Sequence, residues 1–349
     1  MKKITPFLIV AAAGLFLGSC AGINYLTVET LEPAQVILPS HVLSLAVVNN
    51  VVTQPDDIGH ETQRIGRSER EKSKASSDSV AVYYTEALTQ FLNEEDYFKE
   101  VLFYPEPLRS DTDFFQEQPL TPAKMNDIRK KTGVDAVISL DKLLIQTVKR
   151  EQFRQQGYTY GDMTGKIQSI LRVYLPTLEG KIPAIQYSDS MRWEGFDIQD
   201  ERAYAENMLP TREEAMKLLA VRAAEKMTYV FAPHWERQNR WYYTLSNTLM
   251  RNGEAFAKSA DWVKAIEMWK AFYHNSTHKI EKAKAANNIA LAYEMMDDMT
   301  QAVEWANLAY DLFVQSAGPG SPDSRRSLLY KNELERRVST FNKLNMEGM

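Results

Sequence analysis

The chain has 349 residues, 44% of them hydrophobic and 25% charged, with a formal net charge of −5 and a single cysteine. Such a length suits about two domains, and the composition is that of a globular protein rather than a disordered one. The acidic balance offers no general attraction to phosphate backbones, which argues against nucleic acid as a partner, and one cysteine excludes a disulfide within the chain.

Lys2 and Lys3 form a short basic start, and Ile4 to Leu17 is almost wholly apolar. Basic, then apolar, then small is the order of a secretory signal. The apolar run is too short to cross a bilayer, which takes about 20 residues. It ends in Leu17-Gly18-Ser19-Cys20, which resembles the lipobox of bacterial lipoproteins. That resemblance implies cleavage of residues 1–19 and a diacylglycerol thioether on Cys20. The mature chain would then carry a charge of −7 and no free thiol, so cysteine nucleophiles and thiolate metal sites are excluded together. Several acyl chains hold stably, each buried methylene contributing about 0.8 kcal/mol. Ala21 rather than aspartate after the cysteine implies, by the same resemblance, an outer-membrane lipoprotein in the periplasmic or surface-facing leaflet.

Residues 20–39 read as a tether, with Thr27 to Glu32 alternating weakly as an edge strand. Val42 to Thr53 is the first firm strand, apolar enough to be buried on both faces. Residues 54–77 read as a mobile, solvated loop in which acids nearly cancel the bases. Asp78 or Ser79 caps a helix with Val80, Tyr83, Tyr84, Ala87, Leu88, Phe91 and Leu92 on one face, and Phe98 to Tyr104 is a second strand. Thr121-Pro122 opens another helix and Gly133 ends it. Val134 to Leu140 begins a strand that can run to Val148, Tyr158 to Asp162 reads as a turn, and Lys166 to Leu175 and Lys181 to Trp193 are further strands joined by residues 176–180. Thr211 caps the helix Arg212 to Tyr229.

The order β-α-β-α-β-β-β-α predicts an α+β fold, with a mixed sheet and packed helices over residues 40–232. The phrases Phe91-Leu-Asn-Glu-Glu-Asp-Tyr-Phe-Lys-Glu-Val101 and Lys130-Lys-Thr-Gly-Val-Asp-Ala-Val-Ile-Ser-Leu140 resemble the small domain of curli-secretion-type and TolB amino-terminal-type envelope proteins.

Beyond Pro233 the pattern reads as helix throughout, to residue 349. Leu249, Gly253, Phe256, Ala260, Ala265 and Trp269 are echoed by Ala286, Ala290, Tyr293, Asp297, Ala302 and Ala306. Both runs resemble the tetratricopeptide repeat, although Ala265 and Ala302 stand 37 rather than about 34 residues apart. Two repeats cannot bury their faces alone, so either the helix before Leu249 and the one from Asp323 to Leu344 serve as caps or the sheet domain covers one end. In the repeat register the concave side presents Asn247, Met250, Glu254, Asn287, Leu291 and Glu294, either to grip a protein or peptide or to face the sheet domain.

Local motifs for chemistry are absent. Gly161-Asp-Met-Thr-Gly165-Lys166 lacks the spacing and the Ser or Thr of a phosphate loop. His274 and His278 share a helical spacing but no third metal ligand is near in sequence. Asp78-Ser79-Val80 and Asp189-Ser190-Met191 resemble a short O-glycosylation motif of Bacteroides-type envelopes. The whole resembles uncharacterised Bacteroides-type lipoproteins that join an α/β domain to tetratricopeptide-like repeats. The expectation is a non-enzymatic, cofactor-free adaptor held to the membrane by lipid and binding an envelope protein through its repeats. The alternative is a glycan-binding or glycan-processing lipoprotein with a site among Tyr158, Tyr160, Tyr187 and Trp193.

Overall fold

A computed structural model describes residues 22–64, 67–109, 111–154, 158–175, 184–197 and 209–347. The lipobox and the link at 176–180 lie outside the described residues. The chain divides into two compact units, Pro33–His234 and a second made of Met1–Glu32 with Trp235–Met349. The fold is a mixed β-sheet domain with packed helices, followed by an all-helical segment.

In the sheet unit, β2 (Ser44–Asn49) places Leu45, Ala46, Val47 and Val48 at 0% exposure, covered on both faces. It lies parallel to both its neighbours, β5 (Glu100–Tyr104) and β6 (Ala136–Arg154). The long β6 then pairs antiparallel with β7 (Tyr158–Tyr174), and β7 with β8 (Ile185–Asp197). Helices α1 (Val80–Glu94) and α3 (Arg212–Phe231) pack on one face through Tyr84, Leu88, Leu219 and Met227 against Val47 and Ile138. Helix α2 (Pro122–Thr132) packs on the other, through Ile128 against Val48 and Val137. Neighbouring residues of β2 and β6 go to opposite layers because strand side chains alternate.

Local chemistry sets several boundaries. Thr121 accepts from the Lys124 amide at the start of α2, with Pro122 at N1, and Gly133 ends the helix at φ 76°. Thr211 and Glu214 form a reciprocal capping box on α3. Ser79 occupies the N-cap position of α1 but its hydroxyl makes no capping hydrogen bond, contrary to the expectation. Residues 54–77 are not simply a loop, since β3 (His60–Gln63) adds parallel to the far half of β6 and pairs with β4 (Glu71–Lys72). The segment Tyr158 to Asp162, read as a turn, is the start of β7.

Arg212 at the first turn of α3 ties these strands together. Its guanidinium donates to the Thr147 carbonyl at 3.1 Å, the Glu61 carbonyl at 2.8 Å and the Thr62 hydroxyl at 2.7 Å. His60 lies beside it, 1% exposed, with Nδ1 2.8 Å from the Thr147 hydroxyl. Burial, and then the Arg212 charge, lower the His60 pKa below 6.5, so the folded ring is neutral. The unfolded chain takes up a proton below about pH 6.5, and the folded chain does so only lower. Stability held above pH 6.5 is therefore lost as pH falls through that value towards the lowered one. The loss is at most about 1.4 kcal/mol per pH unit for one proton. His60→Gln should flatten the dependence of the urea midpoint between pH 7 and 5; an unchanged slope would refute the assignment.

In the second unit, α4 (Thr248–Lys258) pairs with α5 (Trp262–Asn275), α6 (Lys279–Met295) with α7 (Met299–Ala317), and α8 (Pro322–Glu347) follows. Fully buried alanines, among them Ala286, Ala290, Ala302 and Ala309, let α6 and α7 approach closely. Each pair turns through a left-handed residue, Ala260 at φ 57° and Asp297 at φ 60°, 37 positions apart. Asp261 and Asp298 then cap the second helices by accepting from the Lys264 and Gln301 amides. A side chain in this region costs about 1–2 kcal/mol, and aspartate tolerates it better than alanine. Ala260→Gly should therefore raise stability in urea by about 1 kcal/mol and Asp297→Gly by less; an equal or absent gain would contradict this.

The reading of helix throughout beyond Pro233 is corrected. His234–Tyr243 forms β9, which pairs with β1 (Ile23–Glu32) in a separate two-stranded sheet. The tether is corrected with it, because ten of its residues are that strand. The Thr244 amide donates to the Gly22 carbonyl at 2.9 Å, and Thr30 Oγ1 reaches the Glu236 carbonyl at 3.5 Å, which sets an antiparallel register. The pairing spans more than 200 residues, so no local pattern announces it.

Candidate functional site

Five of the six residues expected to line the concave side are turned inward. Met250 is 1% exposed in the core between α4, α5 and α6, and Leu291 is 0% exposed. Glu254 pairs with Lys258 and accepts from Asn24 of β1 at 2.9 Å. Asn287 donates to the Trp241 carbonyl at 3.3 Å, and Glu294 binds Arg240, both of β9. Only Asn247 is exposed, and its side chain caps α4 by accepting from the Leu249 amide at 2.8 Å. Glu254, Asn287 and Glu294 meet the chain's own extended strands, and Glu294 also borders an open cleft.

β9 is held along its main chain. Asn288, fully buried, accepts from the Tyr243 amide at 2.7 Å and donates to the Tyr243 carbonyl at 2.8 Å. With Asn287 on the Trp241 carbonyl, two consecutive residues of α6 read the backbone of an extended segment. Side chains fix its place. The Tyr243 ring lies 5.6 Å from Phe313, and its hydroxyl donates to Asp323 at 2.9 Å. Trp241 packs edge-on against Tyr330 at 5.4 Å. Burial, then the Asp323 charge, push the Tyr243 hydroxyl well above the usual range.

The charged centre is Glu294, whose side chain is 2% exposed. It accepts from Arg240 Nε at 3.0 Å and NH2 at 3.0 Å, from the Tyr330 hydroxyl at 2.7 Å and from Arg337 at 2.5 Å. Burial opposes charge on Arg240, but the bonds to Glu294 outweigh it and its pKa is raised. Burial and the Glu294 charge raise Tyr330. Three donor groups thus surround the buried carboxylate and supply the hydrogen-bond partners that a buried polar group needs.

Beside this network a cleft of about 800 Å³ opens along β1. Val28 to Glu32 of β1 and Trp235 of β9 border it, together with Glu294, Met295, Asp297, Asp298 and Arg337 from the helices.

The glycan alternative named four aromatic residues that the fold does not gather. Tyr187 and Trp193 face the core under α3, with Met163 opposite Trp193. Tyr160 is on the opposite face, bonded to Arg192 at 2.9 Å, and the Tyr158 side chain lies outside the described residues. Arg192 in turn meets Asp162, which is 1% exposed and also paired with Arg150. Among the described residues no group of three or more His, Cys, Asp or Glu is placed to hold a metal, and no helix is long and apolar enough to cross a membrane.

Sequence reasoning missed Asn288, Arg240 and Tyr330. The Asn287-Asn288 pair on an otherwise alanine-rich helix was a visible signal, since a buried amide needs a partner. Arg240 gave none, because its partner is 54 positions away.

A comparison with curated proteins finds no match. Among solved structures the chain is similar to protein XCC0632 from Xanthomonas campestris, of family DUF330, at 6% identity and a TM-score of 0.23, over 56% of this chain and 88% of that one. So slight a likeness carries no inference. Family models match in two places, a domain of unknown function (DUF6340) at residues 251–336 and another (DUF8603) at residues 42–243. The second match runs past the sheet unit to the end of β9. It covers more than half of the chain, which therefore belongs to the DUF8603 family.

Proposed function

We propose that this chain is a lipid-anchored, non-enzymatic adaptor or assembly factor of the cell envelope, of the kind of the Bacteroides-type outer-membrane lipoproteins it resembles. The observation that carries the reading is the grip of Asn287 and Asn288 on extended main chain across the repeat helices. A helical surface that reads backbone amides in this way is suited to extended protein segments, and it already holds one of its own. The same unit exposes the large apolar side chains Tyr25, Trp235 and Leu329 at 66%, 68% and 71% among the described residues. Cys20, at the end of the lipobox, supplies the anchor in this reading.

Two measurements test it. Cys20→Ser should move the protein from the membrane fraction to the soluble periplasm; retention on membranes would sink the anchor. Photo-crosslinkers at Tyr25, Trp235 and Leu329 in living cells should give adducts with a specific envelope protein. A folded, correctly located chain without adducts at all three positions would contradict the adaptor role.

A further inference from the structure

The cleft along β1 has the form of a strand-docking site, and this inference rests on the adaptor reading above. β1 pairs with β9 on one side and with no strand on the other among the described residues. In the register set by Gly22 and Thr244, the even-numbered residues of β1 exchange hydrogen bonds with β9. The amides and carbonyls of Thr27, Glu29 and Leu31 therefore point away from β9, as alternate residues of an antiparallel ladder must. Five consecutive residues of β1 border the cleft, so both side-chain rows of the strand reach it.

Charge selects the occupant. Glu32 is paired with Arg336, Glu294 with Arg240 and Arg337, and Glu29 with Arg237. Asp297 and Asp298, exposed at the cleft border, have no ion pair among the described residues, and Arg337 is already committed to Glu294. Met295, Met299 and Val28 supply apolar walls between the acids. A second copy of β1 is a poor fit, because Ile23–Glu32 carries Glu29 and Glu32 and no base, and like charges on adjacent strands repel. We infer that the free edge of β1 takes an extended peptide segment of alternating basic and aliphatic residues, added as a third strand with its cations against Asp297 and Asp298.

The probe is a fluorescent nonapeptide of alternating lysine and valine, with a glutamate–valine peptide as comparator, titrated against the full chain by anisotropy. Glu29→Pro removes an outward amide without touching the β9 ladder, and proline is tolerated at an edge. Asp297→Asn removes a charge and leaves a residue that accepts the left-handed turn. The lysine peptide should bind at least about tenfold tighter than the glutamate one. Each variant should weaken it several-fold while amide exchange in β9 is unchanged, and added salt should weaken it further. Equal binding of the two peptides, no binding of either, or indifference to both variants overturns the proposal. If the lysine peptide fails while the envelope adducts persist, the cleft is refuted and the adaptor role stands; if both are lost, the adaptor role falls as well.

Discussion

Glu294→Gln is expected to destabilise the helical unit by about 3–5 kcal/mol, the cost of removing one partner from a buried charge network. The carboxylate is shared by Arg240, Tyr330 and Arg337, and the Arg240 and Glu294 side chains are 6% and 2% exposed. An amide in its place leaves two guanidinium groups facing a neutral side chain whose NH2 presents further donors. β9 and α8 meet at this point, so both should loosen together. The comparison is Arg237→Ala, which breaks an ion pair of β1 and β9 that is 79% exposed on the arginine side. That pair should be worth no more than about 1 kcal/mol. Urea unfolding followed by tryptophan fluorescence separates the two, since Trp241 lies against Tyr330. Similar losses for both variants would show that the buried network does not hold the strand.

Gly253→Ala should also destabilise, against the direction of helix propensity. Alanine is favoured over glycine inside a helix by about 1 kcal/mol. At this position, however, the added Cβ would lie 2.3 Å from Nε1 and 2.5 Å from Cδ1 of Trp269, an indole at 0% exposure. That ring is rigid and packed between α4, α5 and α6, and its N–H donates to the Met250 carbonyl at 3.3 Å. Overpacking costs about 1–3 kcal/mol, and displacing the ring also strains the hydrogen bond, worth about 1 kcal/mol. A net loss of about 2 kcal/mol is expected from these opposing terms. Gly320→Ala is the control, because its Cβ would find nothing nearer than an arginine tip at 3.9 Å. A stabilised Gly253→Ala protein would mean that α4 and α5 are not packed this tightly.

What was legible in the sequence was local. Thr121, Pro122, Gly133 and Thr211 mark helix ends because capping chemistry acts within four residues, and the structure places each at such an end. The helical repeat was legible for the same reason, down to its period, which the left-handed residues Ala260 and Asp297 reproduce. β9 was not. Its last residues, Tyr242 and Tyr243, are buried on opposite sides of the strand, so the alternation that marks a half-exposed strand is erased. The aromatic alternative failed on register. Tyr160 and Trp193 fall on opposite faces only once β7 and β8 are paired, and sequence does not set that pairing. Asn287 and Glu294 were expected to line a concave side, and in the structure they meet Trp241 and Arg240. What they meet comes from β9, and only the fold brings it there.

That point is the centre of the account, and amide hydrogen exchange on the full chain tests it most directly. If β9 is gripped by α6, the amides of Arg240 to Tyr243 should exchange as slowly as those in the middle of α6, and Asn288→Ala should speed them selectively. Exchange of residues 240–243 at the rate of an unstructured chain, with α6 still protected, would contradict it.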